Sequence, residues 1–291
     1  MKQTFIVIPF FILLILLALQ QVFSQVQLPA PSPSASVSQT FGVTKVSVDY
    51  SSPAVRGRKV WGELVPFGQL WRTGANSPTQ VSFSTPVRVG GNALAAGTYT
   101  LMTIPNEKNW TVIFSKDEKK RGIFGYDQAE DVARFEVAPT KAAENQEHLV
   151  FTIVPNNEKK ATLRLEWENL RLDLPLESDT HAHTLANIEA SMKKSGGLWY
   201  DYAVSAEYYA KNNHNLETAN QWASTSLTLQ PKHFFNKWVM AKVLAAQNDF
   251  AGAARYAKEA KAFGDENPSG FYDVYKEEIA KSFEDWSKKA K

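Results

Sequence analysis

Near Leu176 the spacing of apolar residues changes from every second position to every third or fourth. A chain with such a switch is not built as one kind of layer. Alternation puts one face of a strand against a core, whereas a period near 3.6 marks one side of a helix. The switch therefore predicts an α+β chain in two parts, an antiparallel β-sandwich followed by an all-α bundle of helical hairpins.

Upstream of the switch, Val46, Val48 and Tyr50 alternate with Lys45, Ser47 and Asp49. Val81 and Phe83 alternate with Ser82 and Ser84, and Tyr99, Leu101 and Thr103 with Thr98, Thr100 and Met102. The runs Trp110–Phe114, Val132–Val137, His148–Val154 and Ala161–Glu168 continue the pattern. Turn chemistry separates them at Gly90-Gly91-Asn92, Gly97, Pro105-Asn106 and Pro155-Asn156-Asn157. About eight or nine short strands with no helix-length run between them predict a sandwich or barrel, not a parallel sheet.

Downstream, Thr180 is a candidate cap for a helix carrying Leu185, Ile188 and Met192 and ending at Gly196-Gly197. Five further apolar stripes begin at Trp199, Leu216, Phe234, Phe250 and Phe271, which makes six helices. Leu216, Ala219, Ala223 and Ser226 recur 34 residues later as Phe250, Ala253, Ala257 and Ala260. That is the tetratricopeptide period, with small residues where paired helices cross. The first helices of the two units superpose poorly, so a generic helical-hairpin array accounts for the spacing equally well.

The domain plan is a signal peptide over 1–24, a flexible linker over 25–40, a β-sandwich over 41–177 and a helical, repeat-like domain over 181–290. Lys2 is the one charge before an apolar run from Phe5 to Leu19 that is interrupted by Pro9 and short for a membrane span. The expectation is an exported protein cut after Ser24, with no stable membrane span afterwards; an uncleaved anchor is the alternative. Residues 25–39 are rich in Pro, Ser and Ala and carry no charge, the composition of a tether. No cysteine occurs, so thiol catalysis, Cys-ligated zinc, iron–sulfur clusters and a lipoprotein anchor are excluded and the fold depends on core burial. With 32 basic and 30 acidic residues and no long block of one sign, nothing points to nucleic acid.

The stretch Val65–Ser84, "VPFGQLWRTGANSPTQVSFS", places Trp71 and Arg72 between turn signals at Pro66, Gly68 and Gly74. Trp71 is expected to pack down on the sheet. The Arg72 fork suits a carboxylate, a phosphate or exposed carbonyls; bracing of backbone, or of Asp49 or Glu63, is the favoured reading. Asn76 is expected to take the left-handed turn conformation ahead of a strand at Thr79. Arg56 and Arg58, with Arg72, are candidates for an anion pocket, with a solvated hairpin face as the favoured reading. His181 and His183 have the spacing of a metal-binding pair on a strand, but on a helix such residues point apart, so they are read as polar residues near a helix start. The hydrolase, zinc-protease and P-loop signatures are absent, and no cofactor is expected. Tyr200 and Tyr208 fall off the apolar stripes and are candidates to line a groove.

The strings "YSSPAVRGRKVWGELVPFGQLWRTGAN", "AAGTYTLMTIP" and "WTVIFSK" resemble the signature of an exported bacterial family known as domain of unknown function 2911. The resemblance runs from about Val43 to Leu176. It implies export and the β-then-α plan, and it implies no activity. If the family shares a site, the matching positions here are Arg56, Arg58, Trp71, Arg72, Thr73 and Asn76. The functional expectation is a non-catalytic binding module of the bacterial envelope. It would take a protein or peptide partner on the helices and a small anionic or carbohydrate ligand on the sandwich. The alternative is an envelope hydrolase of glycans or esters.

Overall fold

A computed structural model describes residues 29–116, 122–195 and 198–291. The expected signal peptide, its cleavage point, the first residues of the linker and the Gly196-Gly197 stop lie outside the described residues. The chain divides into two compact units between Ser178 and Asp179, and each has its own apolar core.

Among the described residues the first unit has ten strands. They are β1 (Ser34–Phe41), β2 (Thr44–Ser51), β3 (Thr79–Phe83), β4 (Val87–Val89), β5 (Asn92–Leu94), β6 (Gly97–Ile104), β7 (Trp110–Ser115), β8 (Asp131–Val137), β9 (Thr140–Pro155) and β10 (Lys160–Glu177). One sheet runs β1-β2-β3-β6-β7-β8 and the other β5-β4-β10-β9. Every pairing is antiparallel. The register explains the alternation in the sequence. Val37, Val48, Val81 and Tyr99 stand opposite one another in a row that faces the core. Ser36, Asp49, Gln80, Thr100 and Ser115 form a row of the opposite parity, on the other face.

The linker expectation needs correction from Ser34 onward. Small polar residues there suggested a tether, yet Ser34–Phe41 pairs with β2 along its whole length, from Ser34 opposite Ser51 to Phe41 opposite Thr44. As an edge strand with one face in solvent, β1 needs few apolar residues. Val37 and Phe41 supply the inward ones.

After Ser51 the chain leaves the first sheet and pairs with the second. Val55 N–H donates to Glu147 O (2.8 Å), and Leu149 N–H donates to Pro53 O (2.9 Å). Strand β10 bends sharply at Glu168, whose φ is 53° and where the register with β9 shifts. Arg164 holds both Asp173 oxygens at 2.7 and 2.9 Å, although an extended run of that length would span about 30 Å. Arg171 and Glu166 make a second pair across the same bend.

The second unit contains α1 (Thr180–Ser195), α2 (Trp199–Lys211), α3 (Leu216–Leu229), α4 (Phe234–Ala246), α5 (Phe250–Glu266) and α6 (Gly270–Lys289). The first cap sits one residue earlier than the sequence indicated, because the Asp179 carboxylate accepts from Ala182 N–H. Helices α2 and α3 pack as one hairpin and α4 and α5 as the next; α4 also lies against α2 and α3, and α6 against α5. The recurrent small residues Ala219, Ala223 and Ser226 on α3, and Ala253, Ala257 and Ala260 on α5, are all fully buried. Asn236, fully buried on α4, donates to Ser226 O and Gln230 O at the end of α3.

Candidate functional site

The Trp-Arg-Thr-Gly-Ala-Asn turn is a corner of the sandwich. Trp71 bridges to Thr103 of β6, with N–H to carbonyl distances of 2.7 and 2.9 Å, and its indole donates to Gly74 O at 3.0 Å. Its ring stacks on Trp167 at 6.0 Å and meets Trp61 and Trp110 edge-on. Four tryptophans thus pack together, and Trp61, Trp110 and Trp167 also pair edge-to-face where Trp61 joins them. The indole nitrogens of Trp61, Trp110 and Trp167 have no oxygen partner. The edge-on ring arrangement is the one in which an indole edge meets a neighbour's π-face.

Thr73 is buried at φ 54°, a strained setting for a β-branched residue. Its hydroxyl pairs with that of Thr103 at 3.1 Å, and its carbonyl accepts from the Thr79 hydroxyl at 2.8 Å. Asn76 takes the left-handed conformation with φ 53°. The Arg72 guanidinium donates to the Asn76 carbonyl and lies 5.1 Å from the Phe124 ring centroid. Glu63, the other partner considered for Arg72, pairs with Lys59 at 3.3 Å.

The remaining residues of the signature converge on the start of β1. The Arg56 guanidinium donates to Pro31 O, the Asn76 carboxamide to Ser32 O and Ser52 N–H to Pro33 O, at 2.9, 2.9 and 2.8 Å. Three consecutive carbonyls are held by three donors from the loops after β2. Arg58 turns back on its own loop, donating to Val55 O and Ala54 O at 2.9 and 2.6 Å. Each of the three arginines therefore spends donors on main-chain oxygens, and an anion would compete with those bonds.

Beside this corner lies an open pocket of about 610 Å³, lined by Ser34, Ser36, Asp49, Ser51, Ser77 and Gln80 among others. None of these except Asp49 drew notice in the sequence. Polar residues alternating outward on a strand look the same whether they face bulk water or a ligand.

In the helical unit a cleft of about 420 Å³ runs across α2, α4 and α6, between Glu207, Ala210, Lys211, Lys242, Glu278 and Trp286. Lys242 pairs with Glu207, and its ammonium lies 4.9 Å from the Trp238 ring centroid and 5.8 Å from that of Tyr275. Burial, and then Glu207, push the Tyr275 hydroxyl above its usual range. Contacting rings continue from Tyr200 to Phe235 and on to Phe271 and Tyr275. Tyr200 is 44% and Phe271 37% exposed. Tyr208, the other off-stripe tyrosine, meets His181 instead, hydroxyl to Nδ1, at 3.0 Å. Among the described residues no group of three or more His, Cys, Asp or Glu is placed to hold a metal ion. Among them, too, no helix is long and apolar enough to cross a membrane.

Residues 32–176 match the model of the family described as "Protein of unknown function (DUF2911)". The match covers the sandwich from just before β1 almost to the end of β10, and it supports the family resemblance carried by the signature strings. Neither a curated protein nor a solved structure matches the chain.

Proposed function

We propose that this chain is an exported, non-catalytic binding protein of a bacterial envelope whose helical unit docks a polypeptide partner. The observation that carries the reading is the cleft across α2, α4 and α6. Lys211, Glu278 and Trp286 line it beside the Lys242–Glu207 pair, and Lys242 also lies 5.8 Å from the Tyr275 ring centroid, from which ring contacts lead through Phe235 to the partly exposed Tyr200. Rings with a wet edge give contact area at low entropic cost, and flanking charges of both signs fix the register of a bound chain. The hydrophobic segment expected at residues 5–19 supports export.

The test is selection of peptides from a random displayed library on the full chain, followed by titration of the best binder. Tyr200→Ala and Trp286→Ala should each weaken it by about tenfold, or about 1.4 kcal/mol. Peptides that bind both variants as well as wild type, or release of product from glycan or ester substrates, would remove this reading.

A further inference from the structure

The outward face of β1, β2 and β3 carries polar chemistry that neither the corner nor the helical cleft uses. Farther along β6, and on β7, the corresponding face is covered, since Met102 and Ile113 are fully buried there outside the main core. On β1–β3 it is open. The pocket of about 610 Å³ sits on one row of this face, where Ser36, Asp49 and Gln80 stand directly opposite one another. Side chains so placed lie about 5 Å apart. A second depression of about 220 Å³ lies on the next rows, with Lys45, Ser47, Ser82 and Thr98. From Asp49 to Lys45 the face runs about 13 Å along β2.

From this arrangement we propose that the outer face of β1–β3 binds an uncharged oligosaccharide, laid along β2 with adjacent hydroxyls of one sugar on Asp49. A carboxylate only accepts, and its two oxygens match a pair of neighbouring hydroxyl donors. The Gln80 carboxamide donates to the Thr100 hydroxyl at 2.8 Å, which fixes its plane and leaves its oxygen as an acceptor beside Asp49. Among the described residues the Asp49 carboxylate and the Ser36 hydroxyl have no side-chain partner and are left to a ligand or to water. Ser47 bonds Ser38 at 3.2 Å and Ser82 bonds Thr98 at 2.8 Å, so the second depression offers hydroxyls already held in place. One carboxylate and one ammonium at opposite ends give the face no net charge. An uncharged chain meets no repulsion there, whereas a uronate chain meets Asp49 and an amino-sugar chain meets Lys45. The site is independent of the helical cleft, and either stands if the other fails.

The experiment is calorimetric titration of the full chain with maltotriose, cellotriose and xylotriose, and in parallel with trigalacturonate and the chitosan trimer. At least one neutral trisaccharide should bind, and Asp49→Ala and Gln80→Ala should each weaken it by about tenfold or more. Both side chains are solvent-facing, and unchanged melting of the two variants shows that the fold is intact. Asp49→Asn separates charge from shape and should give an intermediate loss. Binding of none of the neutral sugars overturns the proposal. So does preference for trigalacturonate or the chitosan trimer, or neutral-sugar binding that Asp49→Ala leaves unchanged.

Discussion

His233 shows how much one side chain decides. It caps α4, with Nδ1 accepting from Phe235 N–H at 3.1 Å, a role open only to the unprotonated nitrogen. Burial holds its pKa below the ordinary value of 6.5. The native state therefore takes up this proton at lower pH than the unfolded chain does. Above about pH 6.5 both states are neutral and the cap is intact. As pH falls below that point the unfolded chain is protonated first, and stability declines until the depressed native pKa is passed. Thermal melting at pH 7.5 and pH 5 should show this loss in wild type and a smaller one in His233→Asn, which caps without titrating. Asn76 is decided the same way, by hydrogen bonds to Ser32 and Ser51. Asn76→Ala should cost about 1 kcal/mol, read as a lower denaturant midpoint at unchanged slope. Arg72→Ala should cost a similar amount, about 1 kcal/mol, through the Asn76 carbonyl it leaves behind.

At the scale of elements, helix α5 packs on α6 through a missing side chain. A Cβ on Gly264 would sit 2.1 Å from the Tyr272 ring. That ring is buried, and its hydroxyl bonds Asp265 at 2.8 Å. Burial and then that carboxylate push the Tyr272 hydroxyl up to about 12, so it stays a neutral donor. In an exposed helix Gly→Ala stabilises by up to about 1 kcal/mol. Here Gly264→Ala should destabilise by about 1–3 kcal/mol in chemical denaturation, because the ring has nowhere to go. Elements of strong period were legible in the sequence, and those without it were not. The alternation of β2, β3, β6 and β7 was plain. Strand β1 was hidden because, of its inward positions, only Val37 and Phe41 carry large apolar side chains. Strands β4 and β5 have three residues each, too few to show a period. The bend in β10 was hidden because a glutamate, not a glycine, occupies the left-handed position.

At the scale of the molecule, the change of period near Leu176 falls where the two cores part. All the residues of the sandwich core, the four tryptophans included, precede Ser178. A fragment of residues 29–178 should therefore fold alone and keep the near-ultraviolet circular dichroism of its coupled indoles. Loss of that signal in a soluble fragment would mean that the sandwich needs the helices. The candidate sites were less legible than the fold. Arg56 and Arg72 were conspicuous as arginines set among turn signals and Asn76 as a residue suited to the left-handed turn conformation, and the structure uses all three as ties to main-chain oxygens. The residues left open to a ligand, Asp49 and Ser36 among them, had the commonplace look of any solvent-facing strand.

The ties on Pro31, Ser32 and Pro33 also give the sandwich a mechanical property. They stand where the chain enters β1, ahead of the first β1–β2 pair. A pull on the N-terminal side loads these three bonds before it reaches the ladder. Without them, tension would peel β1 from β2 one residue at a time, starting at Ser34 and Ser51. With them, it must first break three contacts that share the load, so the signature loops act as a strain relief for the edge of the sheet.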